Sequence, residues 1–303
     1  MAPRAAAWRG VGMQLAVWTA VAMMAFAANS VLNRMAVGPG WIDAGSFAFI
    51  RLFAGAIVLL ALVLARRAIL GGGRPDLRPK ASAVTGLLLY LYGFSWAYGG
   101  LEAGTGALIL FGMVQITMFL GALLSRERIP PARWAGSTLA FAGLLVLLAP
   151  GAEGPSSGGV MVWAALSMAV AGFGWGLYSL AGRAVSDPLA ATAAQFCWAL
   201  PIGAMVAWFN TAGSPSAATD QGIALAVVSG AVTSGLGYAL WYRLVPQLGA
   251  ARAAVAQLTV PVLTAVAGLW LLSEPFSLRF GLACLCVLGG VALASLIRLG
   301  PRP

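Results

Sequence analysis

Histidine is absent from this 303-residue sequence. That excludes a serine–histidine hydrolase and an HExxH zinc site. Acidic residues are nearly as scarce. The eight are Asp43, Asp76, Glu102, Glu127, Glu153, Asp187, Asp220 and Glu274, each in a loop or at the end of an apolar run. An intramembrane aspartyl protease needs two aspartates within the membrane, and none lies there. Charged residues of both signs make up 9% of the chain, against about 25% in a soluble domain. Such a chain cannot cover a water-facing surface, which excludes a soluble enzyme, a DNA-binding domain and a disordered tail. The three cysteines, Cys197, Cys284 and Cys286, lie in apolar runs, and the last two face different sides of a helix. Neither a disulfide nor a metal site is expected. No GxxxxGK[ST] phosphate loop occurs and no segment has room for a nucleotide-binding domain, so primary active transport is not expected. No cofactor and no enzymatic activity are expected.

What the chain has in abundance is apolar residues, 61% of the total, with a mean hydropathy of +0.91. Ala, Leu, Gly and Val form long runs without the period-2 alternation of an outer-membrane barrel. A bilayer-crossing helix needs about 20 mostly apolar residues. The spacing predicts an all-α integral membrane protein with ten spans, at 13–32, 44–65, 81–99, 103–124, 132–149, 160–181, 191–209, 222–242, 248–272 and 277–297. Turn signals fill the breaks, among them Gly38-Pro39-Gly40, Gly71-Gly72-Gly73-Arg74-Pro75, Pro130-Pro131 and the Pro/Ser/Gly stretch 150–159. Arg4 and Arg9 ahead of an apolar run reaching Ala25-Phe26-Ala27 resemble a secretory signal, but the run continues past that point and retention is expected.

The net charge of +10 would elsewhere suggest nucleic acid. Here the cations sit in short loops, so membrane topology is the better cause and no nucleic-acid partner is expected. With the N-terminus inside, the inner side holds Arg4, Arg9, Arg66, Arg67, Arg74, Arg78, Lys80, Arg126, Arg128, Arg133, Arg183, Arg243, Arg252, Arg298 and Arg302. The outer side holds Arg34 and Arg279. Both termini are therefore expected to be cytoplasmic, in the inner (plasma) membrane of a cell.

Two stretches match their counterparts about 150 residues downstream. Segment 20–37 aligns with 169–186, placing Ala20-Val21-Ala22 on Ala169-Val170-Ala171, Phe26 on Trp175, Ser30 on Ser179 and Arg34 on Arg183. Farther along, Gly121 falls on Gly268, Glu127 on Glu274 and Gly143 on Gly290. The expected halves are 1–150 and 151–303, with five spans each. Five is odd, so the second half enters the membrane from the opposite side, the inverted-repeat plan of secondary transporters.

The pattern resembles the drug/metabolite transporter superfamily, specifically its EamA-type ten-helix exporters. The resemblance rests on Trp175-Gly176 and its degraded partner Phe26-Ala27, on Phe47 to Arg51, and on the Glu ending each fourth span with Gly at +16. It covers nearly the whole chain. Two positions depart from it: Arg126 stands where the first Glu is usually preceded by Gly, and Trp198 stands near the place matching Arg51. Within the family the aromatic inventory is most similar to YddG-type exporters of aromatic amino acids. The resemblance implies a secondary transporter exporting small metabolites, amino acids above all, by alternating access between the repeats. A drug or organic-cation exporter is the alternative it leaves.

Polar side chains inside a span turn to partners or to a cavity. Phe26, Asn29, Ser30 and Asn33 recur at helical spacing, and Trp175, Tyr178, Ser179 and Gly182 form the matching face of the sixth span. Interhelical packing would use the same residues, since such side chains bond across helices for about 0.6 kcal/mol. In the third and eighth spans, Trp96, Tyr98, Trp241 and Tyr242 are expected at headgroup depth. Tyr90, Tyr92 and Tyr238 lie deeper, and each hydroxyl needs a partner. Gln115, Gln195 and Gln257 also fall inside spans, where a lone amide is costly. Pro261 interrupts the ninth helix. Arg51 is the sharpest feature, a charge disfavoured at a span's centre by roughly 2.5–3.5 kcal/mol. Three fates are open to it: snorkelling outward, pairing with backbone carbonyls, or binding a substrate carboxylate from a watery cavity. The expected substrate-binding set is Asn29, Asn33, Arg51, Tyr90, Gln115, Trp175, Tyr178, Tyr238 and Gln257. No acidic residue sits mid-span to receive an organic cation, and one arginine is too few for a phosphorylated solute. With no group that titrates near neutral pH inside the spans, a facilitator is expected. Glu102 and Glu274 are the acids with access to the outer mouth.

Overall fold

A computed structural model describes residues 2–71, 78–124, 126, 131–148, 158–182, 185–211 and 218–296. Among them every regular element is a helix, with no strand. Glu127 and Arg183 of the repeat, and most of the turn signals at 71–75 and 150–159, lie outside the described residues. The first half contributes α1 (Ala2–Val37), α2 (Ala44–Leu70), α3 (Ala81–Ala97), α4 (Ala103–Leu124) and α5 (Pro131–Leu148). The second contributes α6 (Gly158–Gly182), α7 (Pro188–Thr211), α8 (Asp220–Val228), α9 (Gly237–Gln257), α10 (Thr259–Leu271) and α11 (Leu278–Leu296). A π-helical segment, Ser229–Leu236, joins α8 to α9 without a break.

Local chemistry sets the helix ends. Asp43 accepts the Ser46 N–H at 2.8 Å and starts α2, Asp187 accepts the Ala190 N–H at 3.2 Å and starts α7, and Thr219 accepts the Gly222 N–H at 3.1 Å and starts α8. Gly71, at φ 67°, ends α2 in a conformation that suits glycine. A loop expected between 243 and 247 is helical instead, and the interruption falls at Leu258. The cause is Pro261, which offers no N–H to the carbonyl four residues back and crowds it.

Six stretches are long and apolar enough to cross a membrane: Met13–Val37, Ala44–Leu70, Ala103–Gly121, Met161–Gly182, Pro188–Asn210 and Asp220–Leu244. Shorter apolar helices cover Ala81–Ala97, Trp134–Val146, Thr259–Leu271 and Leu278–Gly290. The outer surface carries Trp163, Trp208, Phe209, Trp270 and Leu285, all exposed. An apolar exterior of this extent belongs against hydrocarbon.

The packing partners form a pattern. Helix α2 lies on α7, and α5 on α11. Helix α3 packs on α6, as α8, the π segment and α9 pack on α1. Helix α4 packs on α6, as α10 packs on α1, and α2 meets the π segment as α7 meets α3. With α8, the π segment and α9 counted as one span, exchanging each span with the one five places along leaves this set of contacts unchanged. The contacts are close because small residues line them. A Cβ on Gly86 would fall 2.7 Å from the Gly174 carbonyl oxygen, and one on Gly174 would fall 2.6 Å from that of Gly86. On the other side, Gly230 of the π segment rests on the Arg51 carbonyl, with no room for a Cβ.

Candidate functional site

Helices α1, α3, α4, α6 and α9 converge on a small cavity of about 20 Å³. Its walls include Phe26, Asn29, Ser30, Tyr90, Trp175 and Tyr238. That volume holds roughly one water molecule, so the pocket is closed in this conformation.

Aromatic rings make most of the wall. The Trp175 indole lies 4.8 Å from the Tyr90 ring, 5.0 Å from Tyr238 and 6.2 Å from Phe26. Tyr178 stacks beneath it at 5.4 Å with planes 20° apart. Phe26 in turn meets Tyr238 edge-on at 5.8 Å and Trp241 at 5.7 Å.

Polar groups close one side. Arg51 is fully buried, which excludes snorkelling. Its Nε donates to Ser234 Oγ at 2.9 Å, and its Nη2 donates to the hydroxyls of Tyr90 at 2.8 Å and Tyr238 at 3.1 Å. The guanidinium carbon stands 5.1 Å from the centroids of both Tyr90 and Phe94. Nη1 is buried and has no partner. No carboxylate pairs with Arg51 among the described residues. Asn29 donates from Nδ2 to the Tyr90 hydroxyl at 3.2 Å. Its Oδ1 accepts from Ser229 at 2.6 Å and Thr233 at 3.1 Å. Tyr238 donates to Tyr90 at 3.1 Å.

The structure thus brings Asn29, Arg51, Tyr90, Trp175 and Tyr238 together, with Tyr178 one layer behind. Asn33 is buried on the same face of α1 but turns to α3, donating to Ser95 Oγ at 2.9 Å. Gln115 and Gln257 are half-buried, and neither lines the cavity. Gln195 is buried with its Oε1 unpaired. Tyr92 reaches away from the pocket and donates to the Gly203 carbonyl at 2.7 Å. Two of the four aromatics expected at headgroup depth are buried instead. Tyr98 packs edge-on against Phe94 and donates to the Ala103 carbonyl, while Trp241 packs on Phe26. Internal ring partners compete with the interface for such residues. Of the four, Trp96 is exposed. Ser229, Thr233 and Ser234 were not expected as site residues. Their signal is the run Ser229-Gly230-Ala231-Val232-Thr233-Ser234-Gly235, whose density of small hydroxyl residues marks close helix packing. It folds as the π segment, a geometry that is frequent at functional sites.

Ion pairs lie at both ends of the bundle. At one end Arg34, from the end of α1, donates to Glu274 Oε1 at 3.1 Å and to the Tyr98 carbonyl at 3.0 Å. The other Glu274 oxygen accepts the Ala103 N–H at the start of α4, at 2.8 Å. Ser273, at φ 53°, turns the chain so that Glu274 N–H reaches the Gly268 carbonyl at 3.2 Å. A side chain at Gly268 would strike the Glu274 carboxylate at 2.6 Å. Glu102 lines the small cavity beside this pair. Burial pushes its carboxyl above the usual range, Glu274 adds to the rise and Arg34 opposes it. At the opposite end Arg66 pairs with Asp187. The Arg66 hydrogen bond holds the Asp187 carboxyl below its usual range, against partial burial.

Comparison with known proteins supplies the lineage of this architecture. An uncharacterized protein of Pseudomonas aeruginosa is 46% identical over 282 residues, covering 93% of this chain and 94% of that protein. An S-adenosylmethionine uptake transporter of Rickettsia conorii is 30% identical over 141 residues, 45% of each chain. A crystal structure of 23% identity superposes with a TM-score of 0.64, covering 92% of this chain and 98% of its own. The EamA-like transporter family model matches twice, over residues 13–149 and 162–296. Two copies of one module, packed with the exchange symmetry described above, account for nearly all of the sequence, and the chain belongs to the EamA-like transporter family.

Proposed function

We propose that this membrane transporter is a secondary exporter of small metabolites, with amino acids, aromatic ones included, among its substrates, of the YddG type. It works by alternating access between two inverted five-helix repeats, residues 1–150 and 151–303, with ten spans and both termini on the cytoplasmic side of the inner membrane. The substrate contacts Asn29, Asn33, Arg51, Tyr90, Gln115, Trp175, Tyr178, Tyr238 and Gln257 as the cavity opens. The observation that carries the reading is the aromatic cage of Trp175, Tyr90, Tyr238 and Phe26 around a closed central cavity, with Asn29 in its wall and the buried Arg51 behind it, bonded to the hydroxyls of Tyr90 and Tyr238. Rings offer stacking surface to an apolar or aromatic side chain, and the guanidinium and amide offer hydrogen bonds to its polar end. S-adenosylmethionine, the solute in the Rickettsia relatives' name, fits less well. It carries a sulfonium, and the charged group next to the cavity wall, Arg51, is itself a cation.

Trp175→Ala removes the ring that contacts three other cage members. It is expected to lower phenylalanine flux in proteoliposomes about 10- to 100-fold, a loss of roughly 1.4–2.8 kcal/mol of stabilisation in the rate-limiting state. Its elution on size exclusion should match wild type. Wild-type flux in the folded variant would assign the cage to packing alone.

The orientation has a separate test. In a cysteine-free background, Ala218→Cys, in the α7–α8 loop, should react with an impermeant thiol reagent added to intact cells. Ser82→Cys, at the start of α3, should react only after the cells are opened. Both positions are exposed. The reverse labelling would overturn the orientation.

A further inference from the structure

We infer that the central pocket takes aromatic monocarboxylate anions, and takes them in preference to the amino acids of the same skeleton. This rests on the pocket being the transport site.

The first ground is charge. Arg51 stays ionised at any physiological pH. It is fully buried, its partners are neutral hydroxyls, and no acid faces it among the described residues. Glu102 and Glu274 belong to the cluster at one end, where Glu274 is committed to Arg34 and the Ala103 N–H. A buried charge of this kind is costly until something of opposite sign joins it.

The second ground is the balance of hydrogens. Tyr90 receives bonds from Arg51, Asn29 and Tyr238, yet a hydroxyl oxygen has two lone pairs to offer. Turning the Tyr90–Tyr238 bond around relieves Tyr90 but leaves the Tyr238 O–H without an acceptor. Nη1 of Arg51 adds two further unpaired N–H groups. Around this arginine, donors exceed acceptors. A carboxylate carries about four lone-pair sites and no hydrogen, so it supplies what is missing. A carboxylate that accepts from Nη1 through one oxygen and from a tyrosine hydroxyl through the other reduces both deficits.

The third ground concerns the ammonium of an amino acid. It brings three donors and a positive charge into a site already rich in both. The Asn29 Oδ1 acceptor is occupied twice. The ring faces would have to hold the ammonium beside Arg51. An aryl-substituted carboxylate avoids this conflict and still fills the cage.

A monoanion also removes the need for a titrating group. Moving one negative charge outward is driven by an inside-negative potential, worth about 2.3 kcal/mol per 100 mV, or about a 50-fold gradient. Export would be electrogenic and would need no proton site within the spans.

The test uses the purified full chain in liposomes, with 3-phenylpropionate, phenylalanine and phenylalaninamide as probes and flux counted above that of protein-free vesicles. A valinomycin-set potassium potential of about 100 mV, inside negative, should drive phenylpropionate out toward a roughly 50-fold gradient. Phenylalanine should move at least tenfold more slowly and ignore the voltage, and the amide should be slowest. Arg51→Gln should erase the voltage response, and Arg51→Lys should restore part of it. Phenylalanine moving as fast as phenylpropionate, or faster, would overturn the anion preference and leave the exporter intact. No flux of any probe would overturn both. The wild-type competition requires no variant, so a misfolded Arg51→Gln does not rescue the idea.

Discussion

Tyr90→Phe is expected to cut transport about 10- to 100-fold while leaving the helical bundle assembled. One oxygen atom is removed, and three donors lose their common acceptor: Arg51 Nη2, Asn29 Nδ2 and the Tyr238 hydroxyl. Each buried donor left unmade costs about 1–3 kcal/mol. The guanidinium and the amide are then free to turn, so the polar edge of the cage loses its geometry. Tyr92→Phe is the matched control. Its hydroxyl donates to the Gly203 carbonyl, away from the cavity, and flux should stay within twofold of wild type. Initial rates in proteoliposomes, paired with thermal melting of both variants in detergent, decide the matter. Equal rates for the two variants would remove Tyr90 from the transport machinery.

Gly230→Val is expected to prevent assembly of the bundle. The π segment lies so close to α2 that a Cβ at this position would overlap the Arg51 carbonyl oxygen and meet the Ala54 methyl group at 2.9 Å. Both obstacles belong to a rigid helix, and neither is the far end of a flexible side chain. Overpacking of this kind costs about 1–3 kcal/mol where the surroundings give way, and more where backbone must move. The displaced helix would also carry Ser229, Thr233 and Ser234 away from Asn29 and Arg51, adding unsatisfied polar groups. Fluorescence-detected size exclusion should show aggregate in place of a monodisperse peak. Gly289→Ala, where a Cβ meets nothing within 4 Å, should elute as wild type. A monodisperse Gly230→Val with normal flux would refute the close packing of α2 on the π segment.

Much of the architecture is legible in the sequence because a bilayer restricts backbone to few solutions. Caps such as Asp43 and Thr219, together with apolar runs, suffice to locate the helices. The face Phe26–Asn29–Ser30–Asn33 is visible because polar residues at helical spacing have few other uses within a span. Contacts between helices are less visible. Tyr98 and Trp241 sit near span ends, where a lipid headgroup and another ring are equally good partners, and only the packed neighbours Phe94 and Phe26 decide. Asn33 shares a face with Asn29 yet serves α3, because Ser95 arrives opposite it. Gln115 and Gln257 read as pocket amides by depth alone, and rotation about the helix axis, which depth does not specify, sets them to one side. The helical residues 243–247 were hidden for another reason: the break between the two apolar runs was placed there, but the interruption falls at Leu258, ahead of Pro261.

The π segment has a consequence for the energetics of the transport cycle. If the two halves were identical and inverted, a two-fold rotation would turn the state open to one side into the state open to the other, and the two would have equal energy. Ser229–Leu236 breaks that equivalence, for its counterpart in the exchange, α3, is a regular helix from Ala81 to Ala97. Arg51 deepens the asymmetry, since it bonds to Ser234 on that side and Trp198 stands near the matching place in the second half. The degeneracy of the two end states is lifted. In the proposed cycle the empty carrier is then expected to rest on one side, with the π segment contributing to that bias.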